Sequence, residues 1–347
     1  METKKRITLK DFARETGITT SAISRILNGK ETYCSPQKRQ EILDLADKWN
    51  YKPNIGYRIM TGMSTDITAI IFSQERVTYS ECNLRLLVEL INRLEEKGYA
   101  TYSTVMTVDK TRNCEKFLEL ERKGCRSFIF IGQPVGNEAM LACIQKNSYD
   151  YIGMNLSHHI STDPPRKEYD KCFNLNETDA ILEYLRIFRQ NGIENYRLLM
   201  PESYFKHRFE PHVDHAELAS FRRKLVETPS CEFSSSDGFD ARYDNAYSAM
   251  SREYRQDPEI RGVICITDYH ALGAAHFFHD AGRKVGQDVL VCGMFNTAAA
   301  RFSLLPIYTS NFDMKETASQ MLDHLFSPDP IQVAIKPEIV IHRRTRS

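Results

Sequence analysis

Ile7 to Asn28 reads ITLKDFARETGITTSAISRILN, and its apolar spacing describes two short helices joined by a glycine turn. Thr8 is placed to cap the first helix, with Asp11 three positions on as its capping-box partner, and Leu9, Phe12 and Ala13 supply one buried face. Gly17 supplies the turn. Thr19 is placed to cap a second helix whose Ile23, Ile26 and Leu27 fall at i, i+3 and i+4 and face inward. That leaves Thr20, Ser21, Ser24 and Arg25 facing out. Short polar side chains at the start of such a helix can reach base edges.

A third helix is expected from Ser35-Pro36, an N-cap followed by proline at the first helical position, with Ile42, Leu45, Ala46 and Trp49 at helical spacing. Three small helices can close a core. Amphipathic helix pairs are common in all-α proteins that never meet nucleic acid, so the charge around this one matters. The whole chain balances at 46 basic and 46 acidic residues, yet residues 1–62 hold 12 Lys+Arg against 7 Asp+Glu. Lys4, Lys5 and Arg6 form a basic arm, and Arg25, Lys30, Lys38, Arg39, Lys52 and Arg58 are candidates for phosphate contacts.

The length of 347 residues calls for two or three units at about 100–200 residues per domain. Nine cysteines without C-x-x-C or zinc-finger spacing read as reduced thiols of a cytoplasmic protein. The charged N-terminus and the lack of any apolar run near about 18–20 residues argue against secretion and membrane insertion. From Tyr51 to Ser64 the chain has two glycines, a proline and no apolar stripe, as a linker would.

Beyond it the pattern becomes a βα rhythm. Strands are expected at Thr68–Phe72, Ala100–Val105, Ser127–Ile131 and Tyr149–Met154, with helices at Leu84–Lys97, Asn113–Glu121 and Glu138–Gln145. A second series predicts helix Glu177–Gln190, strand Tyr196–Met200, helices Ala216–Val226 and Ala241–Tyr254, strand Gly262–Thr267, helix Ala271–Ala281 and strand Val289–Gly293. The organisation is therefore an all-α helix-turn-helix head (1–52), a hinge (53–63) and a two-lobed α/β core (64–347) of two doubly wound parallel sheets. A small-molecule site is expected between the lobes, where the strand ends form a cleft.

Over nearly its whole length the chain resembles transcriptional regulators of the lactose-repressor (LacI/GalR) family. Ala22-Ile23-Ser24-Arg25-Ile26-Leu27-Asn28 is close to the family's V-S-R-V-L-N run, and Asn50-Tyr51-Lys52-Pro53-Asn54 matches its N-Y-x-P-N lead into the hinge. Ile266-Thr267-Asp268 with Ala271-Leu272-Gly273 resembles its N-D-x-x-A-x-G segment. Leu305-Pro306-Ile307-Tyr308-Thr309 resembles P-P-L-T-T, and Ile339 to Arg343 resembles the closing strand.

The resemblance implies a periplasmic-binding-protein-like core, a homodimer, and double-stranded operator DNA of near-palindromic sequence as partner, with two heads about 34 Å apart. Thr20, Ser21 and Arg25 align with base-reading positions, and Thr8, Thr19, Ser24, Asn28 and Lys30 complete the expected DNA-binding set. Asn54 and Met60 align with hinge positions, the latter with an apolar wedge inserted between base pairs. Tyr57 departs from the family's alanine, and its bulk would force wider hinge spacing or a different wedge.

The implied effector pocket departs further. Glu217 stands where the family has arginine, Thr267 where it has asparagine, and Gly293-Met294-Phe295-Asn296 replaces an acidic turn; of that set only Asp268 is kept. Replacing a cationic clamp by an anion, and a carboxylate by a ring, breaks inheritance of the usual ligand. Two alternatives remain: a sugar-related effector stacked on Phe295 with Glu217 accepting hydroxyl protons, or a cleft that answers to no ligand. No cofactor or metal is expected. His207, His212 and His215 lie close in sequence, as do His276 and His279, without a third ligand in a recognised arrangement. The H-E-x-x-H, G-x-S-x-G, G-x-G-x-x-G and Walker A patterns are absent, which argues against an enzyme. The rival class is a two-lobed sugar-binding protein, and the basic helical head argues against it.

Overall fold

The computed structural model describes residues 7–27, 34–49, 51, 66–73, 81–132, 136–155, 170–228 and 238–342. The chain divides into two compact units, Met1–Thr65 and Asp66–Ser347.

In the first unit, α1 (Leu9–Thr16), α2 (Thr20–Leu27) and α3 (Pro36–Lys48) form a small bundle. The Thr8 N–H and hydroxyl both donate to Asp11 Oδ2, at 2.8 and 2.7 Å, which fixes the start of α1. Gly17, at φ 71°, ends it in the left-handed region, where a side chain would be strained. Thr19 Oγ1 accepts from the Ala22 N–H at 3.3 Å and Ser35 Oγ from the Lys38 N–H at 3.3 Å, so the two remaining helices also start on side-chain caps. Phe12, Ile23, Ile26, Ile42 and Ala46 form the core, with Trp49 and Tyr51 edge-on to Phe12 at centroid distances of 4.8 Å each. The outward placement of Ser24 is corrected: it is 4% exposed. Its position on α2 lies at the flank of the inward face, where a side chain this short stays within the packed layer.

The second unit contains two six-stranded sheets. The first takes β1 (Ile67–Ser73), β2 (Ala100–Met106), β3 (Ser127–Ile131), β4 (Asp150–Met154), β5 (Lys171–Leu175) and β11 (Ile331–Ile335), in the order β11-β5-β4-β3-β1-β2, every pair parallel. The second takes β6 (Tyr196–Met200), β7 (Leu225–Glu227), β8 (Gly262–Cys265), β9 (Leu290–Met294), β10 (Ile307–Asn311) and β12 (Glu338–His342), in the order β12-β10-β9-β8-β6-β7. Here β12 runs antiparallel to β10, a departure from the all-parallel expectation. With lobe 1 built on the first sheet and lobe 2 on the second, the chain passes from β10 of lobe 2 into lobe 1 for β11 and returns to lobe 2 as β12.

Helices α4 (Glu81–Glu96), α5 (Lys110–Arg122) and α6 (Asn137–Asn147) belong to lobe 1; α7 (Glu177–Gln190), α8 (His215–Lys224), α9 (Gly238–Gln256), α10 (Asp268–Asp280) and the short α11 (Ala298–Arg301) belong to lobe 2. Helix α12 (Met314–Leu325) follows β10 yet packs on lobe 1, where Met314, Ala318, Met321, Leu322 and Leu325 meet Leu86, Leu90 and Leu94 of α4. Phe117 and Leu120 of α5 and Met140 of α6 cover the opposite face. Lobe 2 is covered by α9 and α10 on one side and by α7 with Phe205, Phe209 and Phe221 on the other. Each large apolar side chain so buried contributes roughly 1.5–3 kcal/mol. The helix expected over Ala216–Val226 ends at Lys224, because Leu225–Glu227 extend and pair with the edge of β6.

Candidate functional site

On α2, Thr20, Ser21 and Arg25 are exposed. Ser21 and Arg25 stand at i and i+4 on one face, so a hydroxyl and a guanidinium project side by side. Thr8 and Thr19 are also exposed, but their hydroxyls are engaged in the caps of α1 and α2. Lys38 pairs with Glu41 at 2.8 Å on α3, which ties down one of the expected phosphate contacts. Asn28, Lys30, Asn54, Tyr57 and Met60, with the basic arm, lie outside the described residues.

In the core, Thr267 and Asp268 stand at the C-terminal end of β8 and the start of α10. Thr267 Oγ1 caps α10 by accepting from the His270 N–H at 3.3 Å and lies 2.8 Å from His270 Nδ1. Asp268 is fully buried. Its Oδ2 accepts from the Thr297 N–H at 2.7 Å and hydroxyl at 3.0 Å, and its Oδ1 from the Thr309 hydroxyl at 2.6 Å. Burial pushes this carboxyl up to about 7, against the pull of those three donors, and the nearby Glu81 charge adds to the rise. Asp268 thereby staples the start of α10 to the loop after β9 and to β10. His270 is pushed down to about 3, by burial first and by Arg242 second.

Phe295 is half-buried. Its ring packs among both lobes' apolar residues, with Phe312 at a centroid distance of 6.1 Å. Its backbone has φ 85° and that of Asn296 φ 49°, two successive non-glycine residues in the left-handed region. Asn296 is held by Asn311 at 3.1 Å and by His342 Nε2 at 2.8 Å. Glu217 is exposed on α8. The structure thus brings Thr267, Asp268 and the Phe295 loop together; Glu217 has no hydrogen bond to them among the described residues.

Two residues on α4 were not anticipated from the sequence. Glu81 accepts from the Ala298 N–H at 2.9 Å, lies 3.1 Å from the Tyr269 hydroxyl and pairs with Arg301 at 3.4 Å. One turn on, an Arg85 N–H donates to the Phe295 carbonyl at 2.8 Å. Nothing local marks them, since their partners lie more than 180 residues away along the chain. The Tyr269 phenol is pushed up to about 12 by burial first and the Glu81 charge second. Among the described residues no group of three His, Cys, Asp or Glu could hold a metal ion, and no helix is long and apolar enough to cross a membrane.

Residues 8–54 match the family described as bacterial regulatory proteins, lacI family, and residues 188–345 match the periplasmic binding protein-like domain. Catabolite control protein A of Staphylococcus epidermidis (strain ATCC 12228 / FDA PCI 1200) is 22% identical over 347 residues, covering 97% of each chain. The head belongs to the lacI family of bacterial regulatory proteins, and the core carries the periplasmic binding protein-like domain. The lac repressor dimer bound to operator and the anti-inducer ONPF shares its fold with a TM-score of 0.67, at 15% identity over 97% of this chain and 98% of that one. A LacI-family regulator, CCPA from Weissella paramesenteroides with bound sucrose, has a TM-score of 0.58 at 12% identity, over 79% of this chain and 96% of that one. Within this periplasmic binding protein-like core, the polar groups of Thr267 and Asp268 are engaged inside lobe 2.

Proposed function

We propose that this regulator is a cytoplasmic, homodimeric repressor that reads near-palindromic operator DNA through α2, with Thr20, Ser21 and Arg25 on base edges. Asn28, Lys30 and the basic arm supply phosphate contacts, and Asn54 and Met60 act at the hinge between a head at 1–52 and a core from 64. The observation that carries the reading is the exposed Thr20, Ser21 and Arg25 on a capped second helix. The operator named with the lac repressor dimer supports it. A small molecule of the sugar class, as bound to the Weissella regulator, biases the core between lobe arrangements. No catalytic role is assigned.

A second reading, control without a ligand, is favoured by one observation: Asp268, the acidic residue kept from the expected pocket, spends both carboxylate oxygens on Thr297 and Thr309. The test is selection from randomised duplex DNA with the full-length protein. Enrichment of a two-fold symmetric site with half-sites about one helical turn apart is expected. Recovery of unenriched sequence would overturn the reading.

A further inference from the structure

We propose that Glu81 and Arg85 form a built-in latch that holds the two lobes of the core together without any bound ligand. The proposal deepens the regulatory reading above and rests on its premise that the core has more than one lobe arrangement.

Both residues belong to α4 of lobe 1, at i and i+4 on one face, and both reach to a single segment of lobe 2, Phe295 to Arg301. A glutamate at the first position of a helix would ordinarily favour its own helix's free N–H groups. Here the carboxylate instead takes the Ala298 N–H, the Tyr269 hydroxyl and Arg301, all from the other lobe. Arg85 adds the opposite charge beside it and closes on the Phe295 carbonyl. The carboxylate and one guanidinium N–H are thus both answered across the cleft. Charge-assisted bonds of this kind are stronger than neutral ones.

The receiving segment is braced within lobe 2. Asp268 grips Thr297 from below, Asn311 and His342 hold the Asn296 side chain, and the left-handed backbone at Phe295 and Asn296 bends the loop where Arg85 meets it. Receptors fixed in this way lose little freedom when the lobes meet, which favours the closed arrangement. The Glu81 side chain is only 25% exposed, against 41% for Arg301, so it stands between the lobes rather than on an open surface. An exposed pair would contribute little. The consequence is functional: a ligand acting on this cleft works against, or together with, a closure the chain already makes by itself.

The test uses the full-length protein without ligand and compares wild type, Glu81→Gln, Tyr269→Phe and the Glu81→Ala/Arg85→Ala double variant by small-angle scattering at matched molar mass. Thermal unfolding serves as the check on folding. The double variant should show a larger radius of gyration, and Glu81→Gln a smaller increase, because its amide oxygen still accepts from the Ala298 N–H. Operator affinity should change at least threefold in the double variant. Scattering curves of the folded double variant that superimpose on wild type would overturn the latch. Should that variant not fold, superposition of the Glu81→Gln and Tyr269→Phe curves on wild type would do the same. Operator binding by wild type is measured alongside. Expansion without operator binding would defeat the regulatory reading and leave the latch, and binding without expansion would do the reverse.

Discussion

Asp268 and His270 lie two positions apart at the start of α10, both buried, and their acidities move in opposite directions. The Asp268 carboxyl, raised to about 7, favours the fold while protonated, so its contribution is complete at acid pH and is lost as pH rises towards 7. The His270 imidazole, lowered to about 3, favours the fold while neutral, so its contribution is complete above about 6.5 and is lost as pH falls towards 3. Between about pH 4 and 6 the folded protein carries one proton on this pair and the unfolded chain also carries one, on the other partner, so the two dependences cancel. Removing either partner exposes the other. Asp268→Asn should make stability rise with pH over that window, by up to about 1.4 kcal/mol per pH unit, and His270→Asn should make it fall at a similar rate. Denaturant titrations at stepped pH check this, and parallel pH profiles for the two variants would contradict it. At this scale the sequence was legible where helical period alone sets exposure, as for Thr20, Ser21 and Arg25. It was not legible for Ser24, which lies on the boundary between faces, or for Glu81 and Arg85, whose partners belong to another lobe.

Helices α9 and α10 meet at backbone distance. A Cβ added at Gly273 would stand 2.2 Å from the Tyr243 carbonyl oxygen, an atom fixed in the α9 backbone. Gly273→Ala should therefore push the two helices apart and cost about 1–3 kcal/mol or more, seen as a lower unfolding temperature by calorimetry. An unchanged transition would show that the helices can shift freely. The elements found most closely from sequence, β3, β6 and α7, have local patterns that suffice: short β-rich runs, and a helical stripe of Ile181, Tyr184, Leu185 and Phe188. Strands β5, β7, β10 and β11 were missed. Strand β7 has only three residues, and β11 pairs with β5 about 160 positions away, information no local window holds. Helix α12 was missed although its signal was present, with Asp313 capping and Met314, Ala318, Met321, Leu322 and Leu325 at helical spacing. The antiparallel β12 follows from how the chain crosses between lobes, which no composition records.

At the scale of the whole molecule, the chain crosses between the lobes three times, after β5, after β10 and after β11, so any movement of one lobe on the other bends these three segments together. A core of this kind suits two discrete arrangements, and the Glu81 and Arg85 contacts bias one of them. The head and hinge carry the chain's basic excess, with 12 Lys+Arg against 7 Asp+Glu in residues 1–62, while the remainder is acidic by the same margin. On the function proposed above, affinity for any duplex comes from that excess and falls with salt, whereas choice among duplexes comes from α2. Sequence-specific reading by α2 is the central claim. Its most direct test is an anisotropy titration of wild type and Arg25→Ala against the selected operator and a scrambled duplex over a range of salt. Arg25→Ala should weaken operator binding by about 1–3 kcal/mol more than scrambled binding, with wild type retaining a clear preference at every salt concentration. Equal losses on the two duplexes would mean that α2 touches DNA without reading it.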